Sequence, residues 1–76
     1  MPHVIVKLYS GKSERQKQAL AEAVTKAVMS ALNYGGDSVS VGIEEVEPKD
    51  GTEQVYKPDI IGKPRTIYKK PGYDPR

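Results

Sequence analysis

The stretch Met1-Pro2-His3-Val4-Ile5-Val6-Lys7-Leu8-Tyr9 opens the chain and decides how the rest is read. β-branched and apolar residues crowd it. Their alternation assigns a strand over residues 3–9, with Val4, Val6 and Leu8 on one face and His3, Ile5, Lys7 and Tyr9 on the other. A proline stands directly before that strand. Proline has no peptide N–H to give to a ladder, so the first position of a strand is among the few it tolerates. Structure alone would account for Pro2. The other account is chemical. Small residues at the second position, proline included, generally permit removal of the initiator methionine. Pro2 would then be the amino terminus, and its nitrogen a secondary amine anchored on a rigid strand. With Met1 attached, that nitrogen is an amide and has no basicity.

Beyond the strand, Ser10-Gly11-Lys12-Ser13 reads as a turn. Ser13 followed by Gln16 makes a capping box, which starts a helix running to about Leu32. Leu20, Val24, Ala27, Val28 and Ala31 form one apolar stripe at helical spacing. Lys17, Glu22 and Lys26 lie off it and are expected in solvent. Asn33-Tyr34-Gly35-Gly36 ends the helix, with glycine expected to take the left-handed cap. A second strand opens at Asp37 or Ser38 and runs through Val46, with Val39, Val41 and Ile43 alternating with Ser38, Ser40, Gly42 and Glu44. Strand, helix and strand make a βαβ unit over about residues 2–46, its strands parallel and its crossover right-handed. The fold class is α/β (α+β).

The character changes after Val46. Glu47-Pro48-Lys49-Asp50-Gly51 is a loop, and Thr52 to Lys57 has room for one helical turn before Pro58. From Pro58 to Arg76 there are four prolines and two glycines, which predicts an extended or turning tail. Ile60, Ile61, Ile67, Tyr68 and Tyr73 give that tail something to pack. Residues 1–76 are read as a single domain with a C-terminal tail over 47–76.

At 76 residues the core is marginal without a staple. No cysteine is present, so disulfides and thiolate metal sites are excluded. With His3 the only histidine, no metal site is expected. A two-stranded sheet with one helix is not independently stable in water. Joining copies edge to edge removes the inner edges, so the chain is expected to be a homo-oligomer. A dimer is preferred over a hexamer, because the tail is long enough to cover the second sheet face. The net charge of +2, from 12 basic and 10 acidic residues, is too balanced for nucleic-acid or membrane binding. No apolar run approaches a membrane span, and with no signal peptide in view the expected compartment is the cytoplasm.

Few residues offer chemistry. Gly11-Lys12-Ser13 matches the end of a phosphate-binding loop, but that pattern needs glycine where Val6 stands. Glu44, Glu45 and Glu47 read as a solvated strand end, and Lys69-Lys70 as tail solubility. Pro2 remains. An α-amine titrates at about 7.7–8.0 in ordinary residues. Apolar walls and nearby cations would lower a secondary amine toward neutrality. A base so poised can move a proton between carbon and oxygen, provided donors hold the enolate.

These residues, taken in order, bear a resemblance. Pro2 before a strand, Gly11 with a cation at Lys12, the Ser13 cap and the strand Ser38-Val39-Ser40-Val41 resemble the 4-oxalocrotonate tautomerase family over roughly residues 2–46. The Glu47-Pro48 turn and the ending Lys69-Lys70-Pro71-Gly72-Tyr73 are most similar to its bacterial subgroup with dimeric members and phenylpyruvate-type keto–enol activity. The resemblance implies a cofactor-free isomerase with Pro2 as general base, acting on a small keto/enol acid. It implies substrate contacts at Lys12, Ser40 and an aromatic after the second strand, for which Tyr56 is the nearest candidate. The family's best-known members carry arginine at the positions of Lys12 and Ser40. Lysine lacks the planar fork that grips a carboxylate with two bonds, and serine keeps only a hydroxyl, so a monocarboxylate fits better than a dicarboxylate. Ser40 also reads as an ordinary outward strand residue, and His3 as structural though adjacent to Pro2. Hydration, decarboxylation or dehalogenation by the same amine, or a non-catalytic oligomeric binding protein, are the alternatives.

Overall fold

The computed structural model describes residues 1–76. It divides into Met1–Glu45 and Val46–Arg76, each with its own internal packing. The first holds β1 (His3–Tyr9), α1 (Glu14–Leu32) and all but the last residue of β2 (Ser40–Val46). β1 and β2 pair in one two-stranded sheet and run parallel, the arrangement a helical crossover requires.

Alternation along β1 is as the side-chain chemistry dictates. Val4, Val6 and Leu8 are half-buried, while His3, Ile5, Lys7 and Tyr9 are exposed. The helix starts where the capping box places it. The Gln16 N–H donates to the Ser13 hydroxyl oxygen at 3.1 Å, and the Ser13 N–H donates to Gln16 Oε1 at 3.0 Å. Orphan donors at the helix start are thus satisfied from within the first turn.

Several elements differ from the sequence reading. The half-buried face of α1 consists of Lys17, Leu20, Ala21, Val24, Thr25 and Val28, whereas Ala27 and Ala31 are exposed. The stripe turns toward Lys17 because that lysine has carboxylate partners there: Glu14 at 2.7 Å, and Glu45 near the end of β2. Its side chain is only 15% exposed, contrary to the expectation of a solvated lysine. The left-handed cap is Asn33, at φ 60° and ψ 44°, and not a glycine. Asparagine tolerates that region better than most residues with a Cβ. β2 begins at Ser40, since Gly36–Ser38 form a tight three-residue turn instead.

The second part departs further from an extended tail. Pro48–Asp50 make another tight turn, and Thr52–Ile61 form a ten-residue helix with i→i+5 bonding that continues through Pro58. The Gly62 N–H closes it on the Lys57 carbonyl at 2.8 Å. In an α-helix the ring of Pro58 would meet the carbonyl four residues back, and the wider turn moves that carbonyl aside. Pro64–Thr66 turn the chain again. Its end then returns to the wide helix: the Thr52 hydroxyl donates to the Pro75 carbonyl at 3.4 Å, and the Arg76 guanidinium lies 5.2 Å from the Tyr56 ring centre.

Candidate active site

Parallel strands begin together, so the start of β1 meets the start of β2. The Ser40 N–H donates to the Pro2 carbonyl oxygen at 3.1 Å. The Ser40 hydroxyl and His3 Nδ1 share a hydrogen bond of 2.6 Å. One residue of β2 therefore holds two consecutive residues of the chain's first stretch. Pro2 is half-buried; His3 and Ser40 are exposed. Gly42 lies two residues farther along β2, on the face that carries Ser40. A Cβ placed on Gly42 would stand 3.9 Å from His3 Cε1, so the imidazole lies along the glycine at ordinary contact distance.

Lys12 is exposed at the opposite end of β1, in the turn where Gly11 takes φ +118°. That conformation suits glycine and is costly for residues with a Cβ. β1 has seven residues, so its ends are roughly 20 Å apart at about 3.3 Å per residue. Among the expected site residues, then, Ser40 is brought to Pro2 while Lys12 is kept away from it within one subunit.

Tyr56 belongs to the wide helix of the second part and is half-buried. It lines a cleft of about 400 Å³ together with Ile60, Ile61, Ile67, Lys70 and Tyr73. Arg76, which stacks on it, is held by Asp74 through paired contacts at 3.1 and 2.8 Å. These hydrogen bonds from the guanidinium lower the Asp74 carboxyl to about 2, and they raise the Arg76 pKa in return. Lys17 is likewise raised, by its hydrogen bond to Glu14 first and to Glu45 second. Of the acidic cluster at the end of β2, Glu45 thus serves α1, whereas Glu44 and Glu47 are exposed. No group of three or more histidine, cysteine or acidic side chains is gathered for a metal ion. No helix is long and apolar enough to cross a membrane.

The interaction that sequence reasoning missed is the bond between His3 and Ser40. Its signal was present. Alternation puts both residues on outward faces, and parallel pairing of strands that start near residues 3 and 40 makes them neighbours.

This geometry has known counterparts. A family model for tautomerase enzymes matches residues 2–52. A Xylella fastidiosa protein named "Probable tautomerase" is 41% identical over 73 residues, covering 96% of this chain and 89% of its own. Tautomerase PptA of Cronobacter sakazakii is 36% identical over 75 residues, covering 97% and 99%. Among solved structures, TomN, a 4-oxalocrotonate tautomerase homologue in the tomaymycin biosynthetic pathway, superposes with a TM-score of 0.62 at 35% identity, over 63% of this chain and 74% of that one. The apo form of unFused 4-OT gives a TM-score of 0.63 at 26% identity, over 64% and 80%.

Proposed function

Since the chain belongs to the tautomerase family and is an enzyme of isomerase type, we propose that it interconverts the enol and keto forms of a small 2-keto acid, with Pro2 as general base. The reading rests on one observation above others: Pro2 stands at the head of β1, half-buried and pinned through its carbonyl by Ser40. Removal of Met1 frees the amine. Its lone pair takes the proton from the enol hydroxyl and returns a proton to C3. An O–H bond breaks, a C–H bond forms, and the double bond moves from C2=C3 to C2=O. Nothing is gained or lost, so the chemistry needs no cofactor.

The carboxylate requires a cation. Lys12 supplies one from a neighbouring subunit, where antiparallel pairing of two β1 strands sets the end of one beside the start of the other. Each pair of subunits then holds equivalent composite sites. A cation there also lowers the pKa of the amine. One lysine without an arginine fork suits a monocarboxylate. Tyr56 is the aromatic candidate that the family resemblance carries over to this chain. The assembly is a homodimer in preference to a hexamer, on the length of chain after Val46, and it works in the cytoplasm. Exposure of Ile5 at 52% and Tyr9 at 44%, both on the outer face of β1, supports self-association.

Intact-mass measurement and an ultraviolet assay of enol acids test the reading. The native protein is expected to lack Met1 and to turn over an aryl or alkyl enolpyruvate. Pro2→Ala is expected to lose most of that turnover while the oligomer persists. Retention of Met1, or full turnover by Pro2→Ala, refutes the general-base role.

A further inference from the structure

With Met1 gone, Pro2 is joined to the protein through its carbonyl alone. Ring closure leaves ψ as its one soft torsion. The direction of the amine then depends on that torsion and on the plane of the Pro2–His3 peptide. Ser40 holds this unit at two points: its N–H donates to the Pro2 carbonyl oxygen at 3.1 Å, and its hydroxyl shares a hydrogen bond with the imidazole of His3 at 2.6 Å. We propose that His3 and Ser40 form a clamp that positions Pro2, and that Ser40 serves the strand rather than the substrate. The inference rests on Pro2 being the base.

Serine has one proton to donate and two lone pairs to accept with. Where Nδ1 is the bare nitrogen, the hydroxyl gives that proton to His3 and offers a carboxylate only lone pairs; where Nδ1 carries the proton, the hydroxyl accepts from it. In either direction the 2.6 Å bond fixes the hydroxyl against His3, and on this proposal Ser40 is a positioning residue. Its effect on rate comes through the aim of the amine, because catalysis by a placed base depends on its orientation to the reacting atoms. Substrate affinity should depend little on it.

Ser40→Ala and His3→Leu each remove the side-chain bond, and His3→Asn keeps a hydrogen-bonding atom near the Nδ1 position. The first two are expected to lower kcat roughly tenfold with KM within about twofold, the signature of an interaction that acts on the transition state. Loss of a single hydrogen bond sets that roughly tenfold scale, and His3→Asn, which keeps the bond, is expected to stay within about threefold of the parent. Amide exchange gives a readout without substrate. The Ser40 N–H should exchange at least about tenfold faster in His3→Leu, because the two bonds hold one peptide unit. A raised KM with unchanged kcat in Ser40→Ala overturns the clamp and makes Ser40 a ligand. Unchanged Ser40 exchange in His3→Leu overturns it as well. If instead Pro2→Ala keeps full turnover, the base reading fails, and the exchange experiment still judges the clamp.

Discussion

The separation of Pro2 from Lys12 can be turned into a quantitative test by mixing Pro2→Ala subunits with Lys12→Ala subunits. β1 spans seven residues, so the groups at its ends lie roughly 20 Å apart and cannot grip one small acid together. A site that uses both would therefore draw them from different subunits. Losing the cation removes a charge-assisted contact of about 1.5–3 kcal/mol, so Lys12→Ala alone should lower kcat/KM by roughly 10- to 100-fold. Pro2→Ala should be weaker still. In an equal mixture that has exchanged freely, each site has an even chance of an intact Pro2 and, independently, an even chance of an intact Lys12. About one site in four is then whole. Activity should climb from the low single-mutant values to about a quarter of the parent. The assay is enol-acid turnover followed through exchange, with mixed oligomers verified by native mass spectrometry. Verified mixing without recovery refutes the shared site, since a site within one subunit would be broken in every subunit. Full activity of Lys12→Ala alone removes lysine from the mechanism.

Three other outcomes follow from the fold. Ser13→Ala removes the hydroxyl that accepts the Gln16 N–H and should cost about 1 kcal/mol in urea unfolding; an unchanged midpoint would show that the cap does not limit stability. Dilution should make dissociation and unfolding coincide in sedimentation and circular dichroism, because a two-stranded sheet with one helix is marginal alone; a folded monomer would contradict this. The Asp74 carboxyl is lowered from 3.8 to about 2 by Arg76. A lowered carboxyl stabilises above its unfolded value and loses that contribution as pH falls through the folded one. The nuclear magnetic resonance signals of Tyr56 should therefore stay native-like at pH 4 and shift as pH drops toward 2, whereas a transition centred near pH 4 would mean the Asp74–Arg76 contact does not form.

Local rules carried much of the fold. The alternation of β1 and the Ser13–Gln16 box lie within a few residues of one another, so short-range physics fixes them. The failures have long-range or unusual causes. Lys17 turned inward because of Glu45, 28 residues away, and nothing near Lys17 announces that partner. Ala27 and Ala31 were weak markers, since alanine gains little from burial and is content in solvent. Pro58 stopped a helix only under the assumption of α-helical spacing. The wider helix Thr52–Ile61 passes through it, and its closing bond to Gly62 skips five residues. Asn33 took the cap expected of its glycine neighbours because it comes first in the chain and tolerates φ 60°.

The candidate site was legible in the same uneven way. Pro2 declares itself by position, and alternation with parallel pairing leads to Ser40. The bond to His3 needs both steps at once, which is why neither residue alone suggested it. Lys12 is different in kind. Its proposed role depends on a second copy, and a single chain offers it only an exposed turn at the far end of the strand. A βαβ unit this small cannot surround a substrate, because each strand delivers its functional groups at its ends and has no further elements to fold over them. The antiparallel pairing proposed above would supply what one lacks: the start of one strand would meet the end of another, and the proposed base would meet a cation. Self-association on this view answers two physical deficits together, the unpaired sheet edge and the half-built site. A substitution that weakens the edge pairing should therefore lower activity and stability in proportion, even with Pro2, His3 and Ser40 intact.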